Sequence, residues 1–212
     1  QFSLDRSAAF DVDSLEKTRP IEVEVNSPQD ADAMFDLLTY EKGGSVLRML
    51  EQYLGEDRYR DGIRFYLDKH QYDNTETSDL WDAIEHVTGE PAGSGGGCWV
   101  VQRGCRLVGG EADGAKATLT QERFRYTPAQ DDETLWQVPI VLRYSAGGTV
   151  HEDRILLTDR STQVTLKGAP DWLIVNAGGS GFYRVRYSQE LLQALVPRMQ
   201  DQLHPVERYG IV

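Results

Sequence analysis

The apolar residues of this 212-residue chain change their spacing near residue 104. Before that point they recur with the 3.6-residue period of a helix; beyond it they alternate with the two-residue period of a strand. Neither half can take the other's secondary structure without turning polar side chains into its core, so the pattern demands helices first and sheets second. A run of Pro91-Ala92-Gly93-Ser94-Gly95-Gly96-Gly97 lies just before the change. It is the one low-complexity stretch in the chain, and its composition marks a boundary.

The helical half is built around Phe35 to Leu54. A short apolar segment ends at Tyr40, followed by Glu41, Lys42, Gly43 and Gly44. Val46, Leu47, Met49, Leu50, Tyr53 and Leu54 then fall on one helical face. Gly55 is placed where a left-handed residue would stop that helix. The spacing therefore sets the Tyr40 ring just upstream of an anchored helix. The two glycines keep bulk away from its first turn, so that a backbone or a substrate could approach. Glu41 and Lys42 read as electrostatic partners of the turn and the helix start, not as catalytic groups.

Upstream, Arg19-Pro20-Ile21-Glu22-Val23-Glu24-Val25 predicts a short half-exposed strand or extended segment. Ser27-Pro28-Gln29-Asp30 predicts a short helix through Met34. Downstream, Glu56 to His70 predicts a helix with Tyr59, Ile63, Tyr66, Leu67 and His70 on one face. Thr77-Ser78-Asp79 opens a third helix that Gly89 and Pro91 close. Short joints between these helices imply antiparallel packing. His70 reads as a packed boundary histidine, since no second metal-binding side chain lies four residues away. Tyr53, Tyr59 and Tyr66 read as packing residues.

The strand half shows alternation over Ala115–Gln121, Trp136–Tyr144, Glu152–Leu157, Gln163–Leu166, Trp172–Val175 and Gly181–Tyr187. Six or seven short strands with Gly, Asp and Ser turns predict a β-sandwich. Leu191, Leu192, Leu195, Val196 and Met199 then form a helical stripe over residues 188–203. Residues 204–212 look like the opening of a further helix, with Pro205 near its first turn. With Gln1 in place of an initiator Met, the chain reads as a segment of a longer protein.

Charge is uneven. Residues 1–93 carry 9 Lys/Arg against 21 Asp/Glu, a net of −12, whereas residues 94–212 carry 13 against 13. An acidic chain is a poor partner for nucleic acid. Neither an apolar run long enough to span a bilayer nor a signal-peptide pattern occurs, so no membrane is expected, and the location is taken as cytoplasmic. Cys98 and Cys105 are too few for a four-sulfur metal site and read as reduced thiols. His-Glu-x-x-His, Gly-x-Ser-x-Gly, the phosphate-binding loop and the dinucleotide fingerprint are all missing. The remaining histidines are scattered, and Gly89 interrupts the helix between His86 and Glu90, so no metal ligand is named.

Specific stretches resemble a known family. Phe35-Asp-x-Leu-Thr-Tyr40-Glu-Lys-Gly-Gly-Ser-Val-Leu-Arg-Met-Leu is similar to the segment following the zinc site in the aminopeptidase N family of zinc metallopeptidases. The likeness continues through Tyr53-Leu54-Gly55-Glu56, Asp61-Gly62, Tyr66-Leu67, His70, Asn74-Thr75, Thr77, Asp79-Leu80-Trp81 and Gly89-Glu90-Pro91. Thr18-Arg19-Pro20-Ile21 lies before it. After it come Trp99, Gln102 and Gly104, then Leu135-Trp136, Val138-Pro139, Asn176, Gly181-Phe182-Tyr183-Arg184-Val185, Tyr187 and Glu207-Arg208. Nearly the whole chain is covered, in order.

The resemblance implies an α+β multidomain segment. Residues 1–104 would be the mostly helical C-terminal part of a thermolysin-like catalytic domain, 105–187 a β-sandwich, and 188–212 the beginning of a C-terminal helical domain. It implies a Zn2+-dependent aminopeptidase acting on peptides with a free N-terminus. The family's two histidine and one glutamate zinc ligands, its general-base glutamate and its amine-binding acid would lie upstream of Gln1. Tyr40 is the one catalytic residue implied here, donating a phenolic hydrogen bond to the tetrahedral oxyanion, and the segment alone would be inactive. Two other readings stay open: a catalytically dead relative serving as a scaffold or peptide-binding module, and a zinc epoxide hydrolase-aminopeptidase, which shares Tyr-Glu-Lys-Gly but lacks the intervening sandwich. The chain departs from the family at Gly93-Ser94-Gly95-Gly96-Gly97-Cys98 and at Cys105-Arg106. Four glycines in five residues make a poor helix, so the last helix before the sandwich is expected to be shortened or locally altered.

Overall fold

The structure, a computed structural model, describes residues 2–127 and 133–211. Helix α1 (Phe2–Asp13) leads through an irregular segment to the short helix α2 (Pro28–Ala33), and then to a π-turn over Leu38–Lys42 that continues unbroken into α3 (Gly43–Leu54). Helices α4 (Glu56–Lys69), α5 (Thr77–Thr88) and α6 (Ala92–Val101) follow. Then come strands β1 (Cys105–Asp113), β2 (Lys116–Phe124), β3 (Val138–Ala146), β4 (Thr149–Leu157), β5 (Ser161–Thr165), β6 (Pro170–Ile174) and β7 (Tyr183–Tyr187). The chain closes with α7 (Gln189–Leu195), a 3-10 turn (Val196–Arg198), α8 (Met199–Gln202) and α9 (Pro205–Tyr209).

Apolar spacing predicts no helix for α1, and the reason is in its buried face. Arg6, Ala9, Phe10 and Asp13 stand at i, i+3, i+4 and i+7, all buried, but two of the four are charged. Each charge is buried because it has partners. Arg6 donates to the carbonyls of Gly179 and Gly181, while Phe10 stacks on Phe182 with centroids 4.4 Å apart.

Helix α2 starts as its sequence predicts, with Ser27 accepting from the Asp30 N–H at 3.2 Å. Residues 23–26 have no regular secondary structure and join no sheet. Helix α3 buries Val46, Met49, Leu50 and Leu54. It begins at Gly43, so both glycines lie inside its first turn instead of ahead of it. Gly55 does have a positive φ (+91°), but its ψ of 145° is extended, not left-handed helical; one residue both ends α3 and caps α4. Gly89 is the left-handed stop at the end of α5.

The glycine-rich helix is not shortened. α6 runs from Ala92 to Val101. Its C-terminal turn is fixed by tertiary contacts that outweigh glycine's poor propensity. Trp99 is buried, meets Trp136 edge-on at 4.6 Å, and donates its Nε1–H to the Gln137 carbonyl at 3.0 Å.

The strands form two sheets, ordered β5-β2-β1-β7 and β4-β3-β6. All pairings are antiparallel except β1 with β7. The unforeseen strand β1 lies between two neighbours, and burial over Cys105–Gly110 is near-continuous, so it lacks the alternation that reveals half-exposed strands. Val108 and Leu119 from one sheet, and Val138, Ile140 and Leu142 from the other, join a single apolar cluster with Val46, Met49, Trp81 and Trp99 of the helices. The stripe over residues 188–203 is bent at Pro197. Leu191 and Leu195 are buried, whereas Leu192 and Val196 face out.

Candidate functional site

Tyr40 sits in the middle of the π-turn and points outward, 58 % exposed. In this turn the Gly43 N–H reaches back to the Leu38 carbonyl, five residues away, and also to that of Tyr40. Such widened turns are rare and are found frequently at functional sites. The Tyr40 ring stands 6.2 Å from that of Phe35. With Val25, Ala31, Met34 and Thr39 these rings line an open groove between α2 and the π-turn. Beyond Gly43 and Gly44 the space is open as well, since a Cβ on either would meet nothing within 4 Å. The face carrying Tyr40 is thus uncovered by the described residues.

Two clamps hold the turn. At its start, Asp36 Oδ1 accepts from the N–H groups of Leu38 (2.9 Å) and Thr39 (3.0 Å). Arg19 grips the same carboxylate at 2.6 Å and also donates to Thr39 Oγ1 at 2.9 Å. Arg19 itself is fixed by the carbonyls of Pro20 and Ile21. Burial would raise the Asp36 pKa, but the Thr39 N–H and the Arg19 guanidinium outweigh it and hold the carboxyl below its ordinary range.

At the end of the turn is Lys42, whose side chain is entirely buried. Its ammonium forms an ion pair with Asp13 Oδ2 at 3.0 Å and donates to the Gln102 carbonyl at 3.2 Å and the Gly104 carbonyl at 3.3 Å. It also lies 5.6 Å from the centroid of the Trp136 ring. Asp13 is equally buried, and its other oxygen accepts from Thr18 Oγ1 (2.8 Å) and the Gly104 N–H (3.0 Å). Gly104 can present both its N–H and its carbonyl there because its φ is +97°, a value L side chains avoid. Burial pushes the Lys42 ammonium below its ordinary pKa, against the opposing pull of the Asp13 charge.

Sequence reading placed Lys42 as an electrostatic partner of the turn and the helix start, but gave it no partner: neither Asp13 nor Asp36 was named for a role. Lys42 ties the π-turn to α1 and to the loop between α6 and β1. Thr39-Tyr40-Glu41-Lys42 holds the one available hint, because residues two apart face opposite ways on a helical turn. With Tyr40 outward, Lys42 must be inward. Nothing in the sequence gives Asp13 as its partner.

Elsewhere, His70 is a boundary histidine, its Nε2 3.8 Å from Asp79 and its ring 5.5 Å from that of Tyr66. Tyr59 and Tyr53 pack against the apolar cluster. Cys98 and Cys105 form no disulfide. Glu207 is buried at the start of α9, where it accepts from Gly178 N–H (2.6 Å), His204 N–H (2.8 Å) and Arg143 (2.7 Å). Among the described residues no three His, Cys, Asp or Glu side chains form a group that could hold a metal ion, and no helix is long and apolar enough to cross a membrane. The donors present do not make a zinc centre.

Residues 1–94 match the model of the peptidase family M1 domain. Over 97 % of its length the chain is 35 % identical to "Puromycin-sensitive aminopeptidase" of Caenorhabditis elegans, covering 23 % of that protein. It is 33 % identical over 100 % of its length to "Aminopeptidase M1" of Arabidopsis thaliana, covering 26 % of it. Against "Tricorn protease-interacting factor F2" of Thermoplasma acidophilum it is 34 % identical over 98 % of its length, 25 % of that protein. The chain spans about a quarter of the length of these curated relatives.

Proposed function

Residues 1–94 belong to the peptidase family M1, and from that premise we propose that the chain is part of a zinc-dependent aminopeptidase that removes N-terminal residues from peptides. Residues 1–104 then form the C-terminal part of its thermolysin-like catalytic domain, 105–187 a β-sandwich and 188–212 the start of a helical domain. Zinc supplies the activated water in such enzymes. Among the described residues no group could hold it; the residue of this chain assigned a part in the chemistry is Tyr40, and the segment by itself is expected to be inactive. Cytoplasmic residence belongs to the same proposal, supported by two cysteines that form no disulfide.

The observation that supports the role of Tyr40 is its placement: a phenol projecting from a turn clamped at both ends, on a face left open beside two glycines. When water adds to a peptide carbonyl, the oxygen gains a negative charge that the ground state lacks. A fixed O–H aimed at that position stabilises the transition state selectively. The phenol keeps its proton and gives only the hydrogen bond. Removal of such a donor costs on the order of 10²–10³ in rate.

The test compares hydrolysis of alanyl and leucyl amides by the full-length protein and its Tyr40→Phe variant, with zinc measured in both. Retained zinc with a rate lowered about 10²-fold or more is expected. An unchanged rate in Tyr40→Phe refutes the assignment. A wild type that neither binds zinc nor turns over establishes the scaffold reading instead.

A further inference from the structure

We propose that the buried Asp13–Lys42 pair is the positioning element for Tyr40, setting the rotation of the π-turn and hence the place of the phenolic oxygen. The inference rests on the reading of Tyr40 as oxyanion donor and adds residues to it that touch no substrate.

The geometry is that of a lever. Lys42 and Tyr40 are two residues apart, one fully buried and one projecting outward from the same turn. The turn runs unbroken into α3, so any rotation about its axis carries Lys42 and Tyr40 together. Lys42 fixes it from the inside, because its ammonium is held by three acceptors on two other segments, α1 and the loop before β1. On an arm of about 9 Å, the helix radius plus a tyrosine side chain, a rotation of about 10° moves the hydroxyl by roughly 1.5 Å. Misplacement on the scale of an ångström costs about 10²-fold in rate. The Arg19–Asp36 clamp at the other end is partly exposed and bonds the backbone before Tyr40, so it holds where the turn starts but not how it is rotated.

The test is a cycle in the full-length enzyme: wild type, Tyr40→Phe, Asp13→Asn/Lys42→Met, and all three substitutions together. Changing both members of the pair avoids leaving one buried charge without its partner. For the pair variant the expected result is kcat lowered at least 10-fold, with KM within about threefold of wild type and zinc content unchanged. In the Tyr40→Phe background the same pair change should lower kcat less than about threefold, because there is no longer a phenol to misplace. An unchanged kcat in the pair variant overturns the positioning role. So does an equal penalty in both backgrounds, which marks a general structural defect. A wild-type kcat in Tyr40→Phe is a different failure: it removes the oxyanion role itself, and the positioning role with it. Should the pair variant not fold, Asp13→Asn alone takes its place in the cycle. It keeps the two Lys42 bonds to carbonyls, and the same loss of penalty in Tyr40→Phe is required of it.

Discussion

Lys42→Met on the 212-residue chain should be among its most destabilising surface-neutral changes, and the structure gives the size. Methionine replaces most of the aliphatic stem, so little volume is lost. What remains is an Asp13 carboxylate with no exposure, holding two neutral hydrogen bonds on one oxygen and no counter-charge. Removing one partner of a buried ion pair costs about 3–5 kcal/mol. The Gln102 and Gly104 carbonyls also lose a charged donor, and each buried group left unsatisfied adds roughly 1 kcal/mol. Asp13→Asn/Lys42→Met removes both charges and should cost only about 1–3 kcal/mol, since replacing a whole buried pair is often near neutral. Urea melts of wild type, both single variants and the double variant measure this directly. With an m value of about 2.5 kcal/mol/M, Lys42→Met should lower the midpoint by about 2–3 M, and the cycle should show a coupling of at least about 2 kcal/mol. A Lys42→Met cost under about 1 kcal/mol, or single costs that simply add, would refute the claim that this pair is a coupled, desolvated lock.

Gly97 lies inside α6 with open space where a Cβ would stand. Gly97→Ala should therefore stabilise the chain by about 0.5–1 kcal/mol, read as a rise of about 1–4 °C in Tm, and a fall would show that the glycine has a packing role. Burial raises the Cys105 thiol from its ordinary value of 9.0 to about 11. Its folded pKa is raised, so the folded state holds that proton where the unfolded chain releases it. The associated stability is whole below about pH 8.5 and lost as pH climbs through 11, by about 2.7 kcal/mol at 1.36 kcal/mol per pH unit. Cys105→Ala should flatten the stability profile of wild type over that window, and parallel profiles for the two proteins would contradict the assignment.

The helices α3 and α5 could be read from spacing because each presents one apolar face to a core and one polar face outward. Six of the seven strands were legible too, β3 through its apolar run although it is buried along nearly its whole length. Helix α1 hides Arg6 and Asp13 on its inner face, and only their partners at Gly179, Gly181 and Lys42 show why burial is tolerated there. Strand β1 is covered along most of its length and has no alternation to find. Helix α6 forms against its own glycine content because Trp99 is locked between Trp136 and the Gln137 carbonyl.

The same division runs through the candidate site. Sequence alone determined that a tyrosine would stand at the entry to an amphipathic helix, beside two glycines, because helical periodicity and glycine's small size are local properties. It could not determine how that tyrosine is held. The π-turn has no spacing signature. Its two clamps join Asp36 to Arg19 and Lys42 to Asp13, residues brought together only by folding. Whether a lysine in such a run lies in water or in the core depends on whether three acceptors await it there. Tertiary structure decided that, because the desolvation of a charge is compensated only by groups that the rest of the fold supplies.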